Sequence, residues 1–229
     1  MTRLVVISDT HGQHFGMEVP DGDILIHCGD FSSRGQYLDA LKFVNWFGAQ
    51  PHKHKIFIAG NHDLYFEQGN PSDIDAFLRI MPPEVHYLQD SGIELEGLKF
   101  WGSPVQPTFF NWAFNRDRGE PIKEHWNLIP QGTDVLITHG PPYKICDLAR
   151  TEQRFYKNVG CADLLSATLK IKPKLHVFGH IHFSSGTTYI SPKTVYANAS
   201  ICDEDYLRNN KPLVIDIDEN KNVDIVNMH

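Results

Sequence analysis

Basic residues are in the minority in this chain of 229 residues: 21 Lys and Arg stand against 28 Asp and Glu, a formal charge of -7 at pH 7. A protein that grips long nucleic acid by its backbone usually presents a basic face. No long nucleic acid is therefore expected as a partner, and only a local basic patch stays open. Long apolar runs are also missing. Stretches such as Leu4–Ile7 fall far short of the roughly 20 residues that span a bilayer, so no membrane partner is expected. Cysteine is scarce, with Cys28, Cys146, Cys161 and Cys202 showing no C-x-x-C spacing. Met1-Thr2-Arg3 leads straight into Leu4-Val5-Val6-Ile7 and the polar Ser8-Asp9, too short and too polar for a signal peptide. Reduced thiols in a cytoplasmic protein are the simplest expectation. Pro and Gly are scattered rather than clustered, and 41% of residues are hydrophobic, which excludes a disordered chain. A chain of this length buries about 70% of its unfolded surface, and residues 1–229 are expected to form one domain.

The abundant feature is histidine, with 13 residues. Around it, short aliphatic or β-branched runs alternate with helix-like stretches. Strands are expected at Leu4–Ser8, Ile24–Cys28, Lys55–Ala59, Lys99–Trp101, Asp134–Thr138, Leu175–Phe178, Thr194–Ala197 and Leu213–Ile217. Their apolar character is nearly continuous rather than alternating, which suits strands covered on both faces. A helix is expected from Gly35 to Ala49, capped by Ser33, with Tyr37, Leu41, Val44 and Gly48 on one stripe and Phe47 beside it. A second follows Ser72 (Ile74, Phe77, Leu78) and a third runs from Cys161 to Leu169. This alternation reads as an α/β layered fold. The stretch from Val105 to Pro121 breaks the rhythm and reads as a long loop, aromatic and rich in Asn.

Five of the strand candidates run into residues able to bind a metal or handle a proton. They lead to Asp9-Thr10-His11, Gly29-Asp30, Asn61-His62-Asp63, His139-Gly140 and His180-Ile181-His182. Loops at the C-terminal edge of an α/β sheet converge while the strands hold them rigidly, and ligands bind there. If the backbone stays extended, a period of two places Asp9 with His11, and His180 with His182, on one face. Each group alone has an ordinary explanation as a turn, a cap or a bonded core histidine. In series they point to a metal site. Asp, Asn and His without Cys form a hard-to-borderline set suited to manganese, iron, zinc or magnesium rather than a thiolate-bound structural zinc. The set exceeds what one tetrahedral ion uses and fits two ions with a shared carboxylate. His27 and His176 lie inside strands and read as structural; His14, His52, His54, His86 and His125 show no ligand-like pattern.

In this order, Asp9-x-His11, Gly29-Asp30, Gly60-Asn61-His62-Asp63, His139 and Gly179-His180-x-His182 resemble the signature of the calcineurin-like metallophosphoesterase superfamily. The likeness to its small metallophosphoesterase-domain-containing members extends through Gly22-Asp23-Ile24-Leu25-Ile26-His27, Tyr87-Leu88-Gln89-Asp90, Trp126-Asn127-Leu128-Ile129-Pro130, Gly140-Pro141-Pro142, Lys174-Leu175-His176-Val177-Phe178 and Asn198-Ala199-Ser200. It implies a four-layer αββα sandwich of two mixed β-sheets flanked by helices. By motif position, Asp9, His11 and His182 would hold one ion, Asn61, His139 and His180 the other, and Asp30 would bridge them. His62 would serve as general acid or charge stabiliser, with Asp63 orienting its imidazole. Some relatives carry Gly where this chain has His180, so a fully loaded site is expected here. The cofactors would be two divalent ions, manganese foremost, with iron, zinc, magnesium or nickel open.

The activity so implied is hydrolysis of a small phosphoester: phosphodiesters, cyclic nucleotides foremost, by in-line attack of a hydroxide held between the ions. The alternative is a phosphomonoesterase acting on nucleotides or phosphoproteins. Arg34 is a candidate phosphate ligand, because Gly29-Asp30-Phe31-Ser32-Ser33-Arg34-Gly35 partly resembles the phosphatase motif Gly-Asp-x-Val-Asp-Arg-Gly. In the aromatic loop, Asn111, Trp112 and Arg118 are candidates for a substrate wall that stacks on and reads a nucleobase; the loop's aromatics would equally close the core beneath it.

Overall fold

Strands that are apolar on both sides need cover on both faces. The computed structural model, which describes residues 1–150 and 155–226, shows how it is provided. Two six-stranded sheets pack face to face. Across the first lie Val223–Ile225, Leu213–Ile217, Thr2–Ile7, Ile24–His27, His54–Phe57 and Val85–Tyr87. The last four of these are parallel, and the other two pair antiparallel. Across the second lie Thr188–Ile190, Val195–Asn198, Leu175–Phe178, Val135–Thr138, Leu98–Ser103 and Ser91–Leu95, parallel in the middle and antiparallel at both edges.

Side chains alternate along each strand, so each strand feeds two layers. Leu4 and Val6 join Ile24, Ile26, Val135 and Ile137 in the core between the sheets. Val5 and Ile7 face outward, under Ala40, Phe43, Val44 and Phe47 of helix Tyr37–Gly48 and Phe77 of helix Pro71–Arg79. On the far side, Leu136 packs against Ile122 and Trp126 of helix Glu120–Trp126 and Leu164 of helix Ala162–Ile171. The result is the four-layer αββα sandwich. Each fully buried aliphatic side chain contributes about 1.5–3 kcal/mol by leaving water, so the three apolar layers dominate its stability.

Several local expectations need correction. The first long helix starts at Tyr37, not Gly35, and its cap is Gln36, whose N–H is answered by Asp39 Oδ2 at 3.4 Å. Ser33 instead donates its hydroxyl to His11 O at 2.7 Å. The buried stripe is Ala40, Phe43, Val44 and Phe47, while Tyr37 stays largely exposed. A short helix, Tyr65–Gln68, intervenes, and the second expected helix begins at Pro71, with Asn70 accepting from Ser72 N–H at 3.0 Å. The aromatic stretch is not a plain loop either. Gln106–Pro107 and Asn115–Arg116 form a short parallel ladder, and Phe114 is buried in the core under the first sheet. The edge strands Val85–Tyr87, Ser91–Leu95 and Thr188–Ile190 were not expected, because they are short and half exposed.

The parallel strands bring their C-terminal ends to one rim, and a bridge between Ser8 and Ser200 ties the two sheets together there. The chain beyond the strand ends is not extended. Asp9, His11, Asp30 and His180 have φ of 51°, 43°, 56° and 67°, a left-handed conformation uncommon for side chains other than Gly. The period-two expectation therefore fails locally, although Asp9 and His11 do meet. His180 and His182 turn to different donor groups.

Two buried histidines brace the strands. His27 accepts Gly29 N–H on Nδ1 at 3.2 Å and meets Thr10 Oγ1 through Nε2 at 3.0 Å. His176 meets Thr138 Oγ1 at 2.8 Å. Burial pushes both imidazoles down, to about 3. An unfolded chain takes up these protons near pH 6.5, whereas the folded chain refuses them until about pH 3. Their contribution to stability is thus complete above the unfolded value and declines as pH falls through that window. Between about pH 7 and about pH 4.5, His176→Gln should lose about 2–3 kcal/mol less stability than the parent, read from urea unfolding midpoints. Parallel pH curves for the two proteins would refute this.

Candidate metal centre

At the rim, Asp9, His11 and His182 place one donor atom each within 4.8 Å of one another, and so do Asp30, His139 and His180. A third grouping, His11, Asp30 and His62, lies between them. Asn61 joins through Oδ1, 2.9 Å from His139 Nε2. All the residues expected to bind metal therefore lie together.

Their tautomers are set by the main chain. His182 donates Nδ1–H to Asp203 O at 2.8 Å, and His139 donates Nδ1–H to Cys28 O at 2.9 Å. With Nδ1 so engaged, Nε2 is the atom each ring would offer to a metal, once it is free of its proton. His182 Nε2 lies 3.2 Å from His11 Nε2 and 3.2 Å from Asp9 Oδ1. Two ring nitrogens and a carboxylate so close together ask for a positive charge between them.

The carboxylates are held as firmly. Asp30 Oδ1 accepts His62 N–H at 2.8 Å, which leaves Oδ2 3.3 Å from His139 Nε2 and 4.0 Å from His11 Nε2. One oxygen thus faces both donor groups. Asp9 accepts His180 N–H at 2.9 Å and the Ser200 hydroxyl at 2.9 Å, both on Oδ2. Such approach needs bare backbone nearby. A Cβ on Gly179 would overlap Asp9 Oδ2 and Ser8 Oγ, and one on Gly60 would overlap Asp30 Oδ1.

Electrostatics favour a cation. Burial alone would push the Asp9 carboxyl up, but the hydrogen bond and charge of His182, with His139 and His11, hold it well below the usual range. Asp30 is likewise held down against its burial by His139 and His11. In return, burial pulls the His139 imidazole down, but the charge and hydrogen bond of Asp30, with Asp9 and the Cys28 carbonyl, together push it up to about 9. Carboxylates that stabilise an imidazolium this strongly would stabilise a divalent ion more. The donor chemistry therefore fits such ions.

A model of the calcineurin-like phosphoesterase family matches residues 2–184. The chain belongs to that family. The human and mouse proteins called metallophosphoesterase domain-containing protein 1 are each 40% identical to this phosphoesterase over 240 residues, covering 96% of its chain and 72% of theirs. Among solved structures, phosphopantetheinyl hydrolase (PptH) from Mycobacterium tuberculosis shares the fold, with a TM-score of 0.58 at 15% identity, covering 98% of this chain and 95% of its own. This calcineurin-like phosphoesterase is a metal-dependent phosphoric ester hydrolase, and its family implies two divalent ions. No helix among the described residues is long and apolar enough to cross a membrane.

The other expected site residues divide. His62 lines a cavity of about 530 Å³ that opens over Asp30, Asn61, His180 and His182, and Arg118 lines it too. Arg34 and Asn111 are exposed and do not line it. Asp63 does not orient the His62 imidazole. That ring gives Nδ1–H to Ser33 O at 3.1 Å. Asp63 is buried and accepts the N–H groups of Asp30, Ser32 and Gly60 and the Ser32 hydroxyl, at 2.7–3.0 Å. It fixes the two loops that carry Asp30 and His62. Ser200 and Tyr206 were missed: the Tyr206 ring lies 4.9 Å from His11 and 5.1 Å from His182. A Ser two residues past the strand Val195–Asn198 was the available signal for Ser200; nothing in the sequence marks Tyr206.

Ser200→Ala removes a hydroxyl donor from Asp9 and should weaken metal affinity about 10–100-fold, measured by competitive titration with a chelator. Asp30→Ala should lower metal content further, with elemental analysis finding neither ion retained. Two ions still bound in Asp30→Ala would contradict its shared position.

Proposed function

We propose that this protein hydrolyses small phosphodiesters, cyclic nucleotides foremost. In this reading Asp9, His11 and His182 hold one ion, Asn61, His139 and His180 hold the other, and Asp30 is shared. The observation that carries it is the Asp30 carboxylate, whose Oδ2 stands between His139 and His11 at the floor of a cavity with His62 in its wall. Bound divalent ions, manganese being the metal we favour, would acidify a water and neutralise phosphoryl oxygens.

The chain's own groups supply the rest. Because His62 Nδ1–H is engaged with Ser33 O, Nε2 is the atom left to carry a proton to the leaving oxygen. The ring is held between the face of Trp112, with centroids 4.1 Å apart at 32°, and the edge of His11 at 4.8 Å. Trp112 therefore acts on His62 rather than as a free stacking wall for a base. The Asp30 bond to His62 N–H ties the position of this acid to that of the shared carboxylate.

A manganese-supplemented screen of cyclic nucleotides, dinucleotides and monoesters, with metal content measured on the same sample, tests the reading. Cyclic nucleotides should be turned over faster than 4-nitrophenyl phosphate at two ions per chain. Turnover of monoesters alone would replace diester hydrolysis with monoester hydrolysis. His62→Ala should reduce kcat by about 10²–10⁴-fold with metal content preserved; full activity in that variant would remove His62 from the chemistry.

A further inference from the structure

One cavity holds two regions of opposite character. Its floor is the donor cluster around Asp30, and its wall carries Arg118, Arg150 and Lys157. The carboxylates that line it are Asp30 and Glu204. Among the described residues, none of the three wall cations makes an ion pair with either, or with any other carboxylate within 4.0 Å. Other basic side chains do find carboxylates, as Arg116 does with Glu67 at 3.0 Å and Lys221 with Asp134 at 2.7 Å.

The wall is built rather than loose. Arg118 donates to Gly160 O at 2.9 Å and Val159 O at 2.8 Å, neutral acceptors that fix the guanidinium and leave its charge uncompensated. Arg150 and Lys157 stand on the two strands of a hairpin, Leu148–Arg150 paired with Tyr156–Asn158. The base of that hairpin is clamped. Asp147 accepts Gly160 N–H at 2.9 Å, Val159 N–H bonds Asp147 O at 3.1 Å, and Ser184 donates to Leu148 O at 2.9 Å. The rings of Tyr156 and Phe183 pack 4.8 Å apart beside it.

We propose that Arg118, Arg150 and Lys157 form a second phosphate subsite, so that the preferred substrates are nucleotides carrying a phosphate group beyond the ester that is cleaved. This rests on the phosphodiesterase reading above and narrows it. A substrate with a single phosphoryl group, seated over Asp30, leaves the basic wall facing water. A terminal phosphate carries a charge of about -1.5 to -2 at pH 7 and three strong acceptor oxygens. It matches a guanidinium pair and an ammonium, and charge-assisted bonds of this kind are the strong ones. Partial enclosure by the cavity reduces the screening that weakens them on an open surface.

The test compares a diadenosine dinucleotide bearing a 5′-phosphate (pApA) with its unphosphorylated parent (ApA) on the manganese-loaded protein. The 5′-phosphate should raise kcat/KM at least about tenfold, mostly through KM. In Arg150→Ala/Lys157→Ala that preference should fall to within about twofold, and Arg150→Lys, which keeps the charge but loses the guanidinium fork, should keep only part of it. No preference in the parent protein, or one that survives the double substitution, overturns the subsite. Calorimetric binding of the same pair gives a readout independent of turnover: equal affinities also overturn it. Bis(4-nitrophenyl) phosphate separates the two readings. If it is not hydrolysed while pApA still binds better than ApA, the diesterase assignment fails and the subsite stands.

Discussion

A carboxylate taken out of water must meet positive charge or several hydrogen-bond donors, or it does not stay ionised. Three such groups, Asp9, Asp30 and Asp63, are buried at one rim of this sandwich. Each is answered differently. Asp63 meets main-chain N–H groups and a serine hydroxyl and so shapes the loops, but burial and the neighbouring Asp30 charge outweigh these donors and push its carboxyl up to about 8. Asp9 and Asp30 keep an oxygen for the histidines, and so shape the chemistry. The left-handed residues, the bare Gly60 and Gly179, and the main-chain carbonyls that fix His139 and His182 all serve to bring those two carboxylates against imidazoles.

The layered fold was readable because the strands are apolar on both faces: Leu4, Val5, Val6 and Ile7 leave no polar side to face water. The donor residues were readable because each follows such a strand directly, as Asp9 follows Ile7-Ser8 and His139 follows Thr138. Less legible were features that depend on chain trajectory. Arg34 fits a phosphate-gripping pattern in sequence, yet Ser33 turns inward to His11 O and Arg34 is left outside the cavity. Trp112 carries the right chemistry for a base, but the ladder at Gln106 and Asn115 swings it onto His62. Asp63 next to His62 suggested an orienting pair, whereas the backbone turns its carboxylate away toward Ser32. Arg150 and Lys157 lie far from every motif and enter the cavity only through the hairpin.

The same geometry explains why adjacent residues do unlike work. Asn61, His62 and Asp63 are consecutive, yet they serve the His139 donor group, the cavity wall and the loop scaffold in turn. A tight turn of this kind, closed by Asp63 N–H on Gly60 O at 3.1 Å, splays neighbouring side chains in different directions. Small displacements of the turn would therefore disturb ligand, acid and scaffold together.

The bridge between Ser8 and Ser200 marks where the two sheets meet at the rim. Asp9, His11, Asp30 and Asn61 arrive from one sheet, and His139, His180 and His182 from the other. An ion seated among them is a clasp across the seam of the sandwich as well as a cofactor. Its affinity and the cohesion of the two halves would then be linked, so that whatever pries the seam apart would also weaken its hold on the ion.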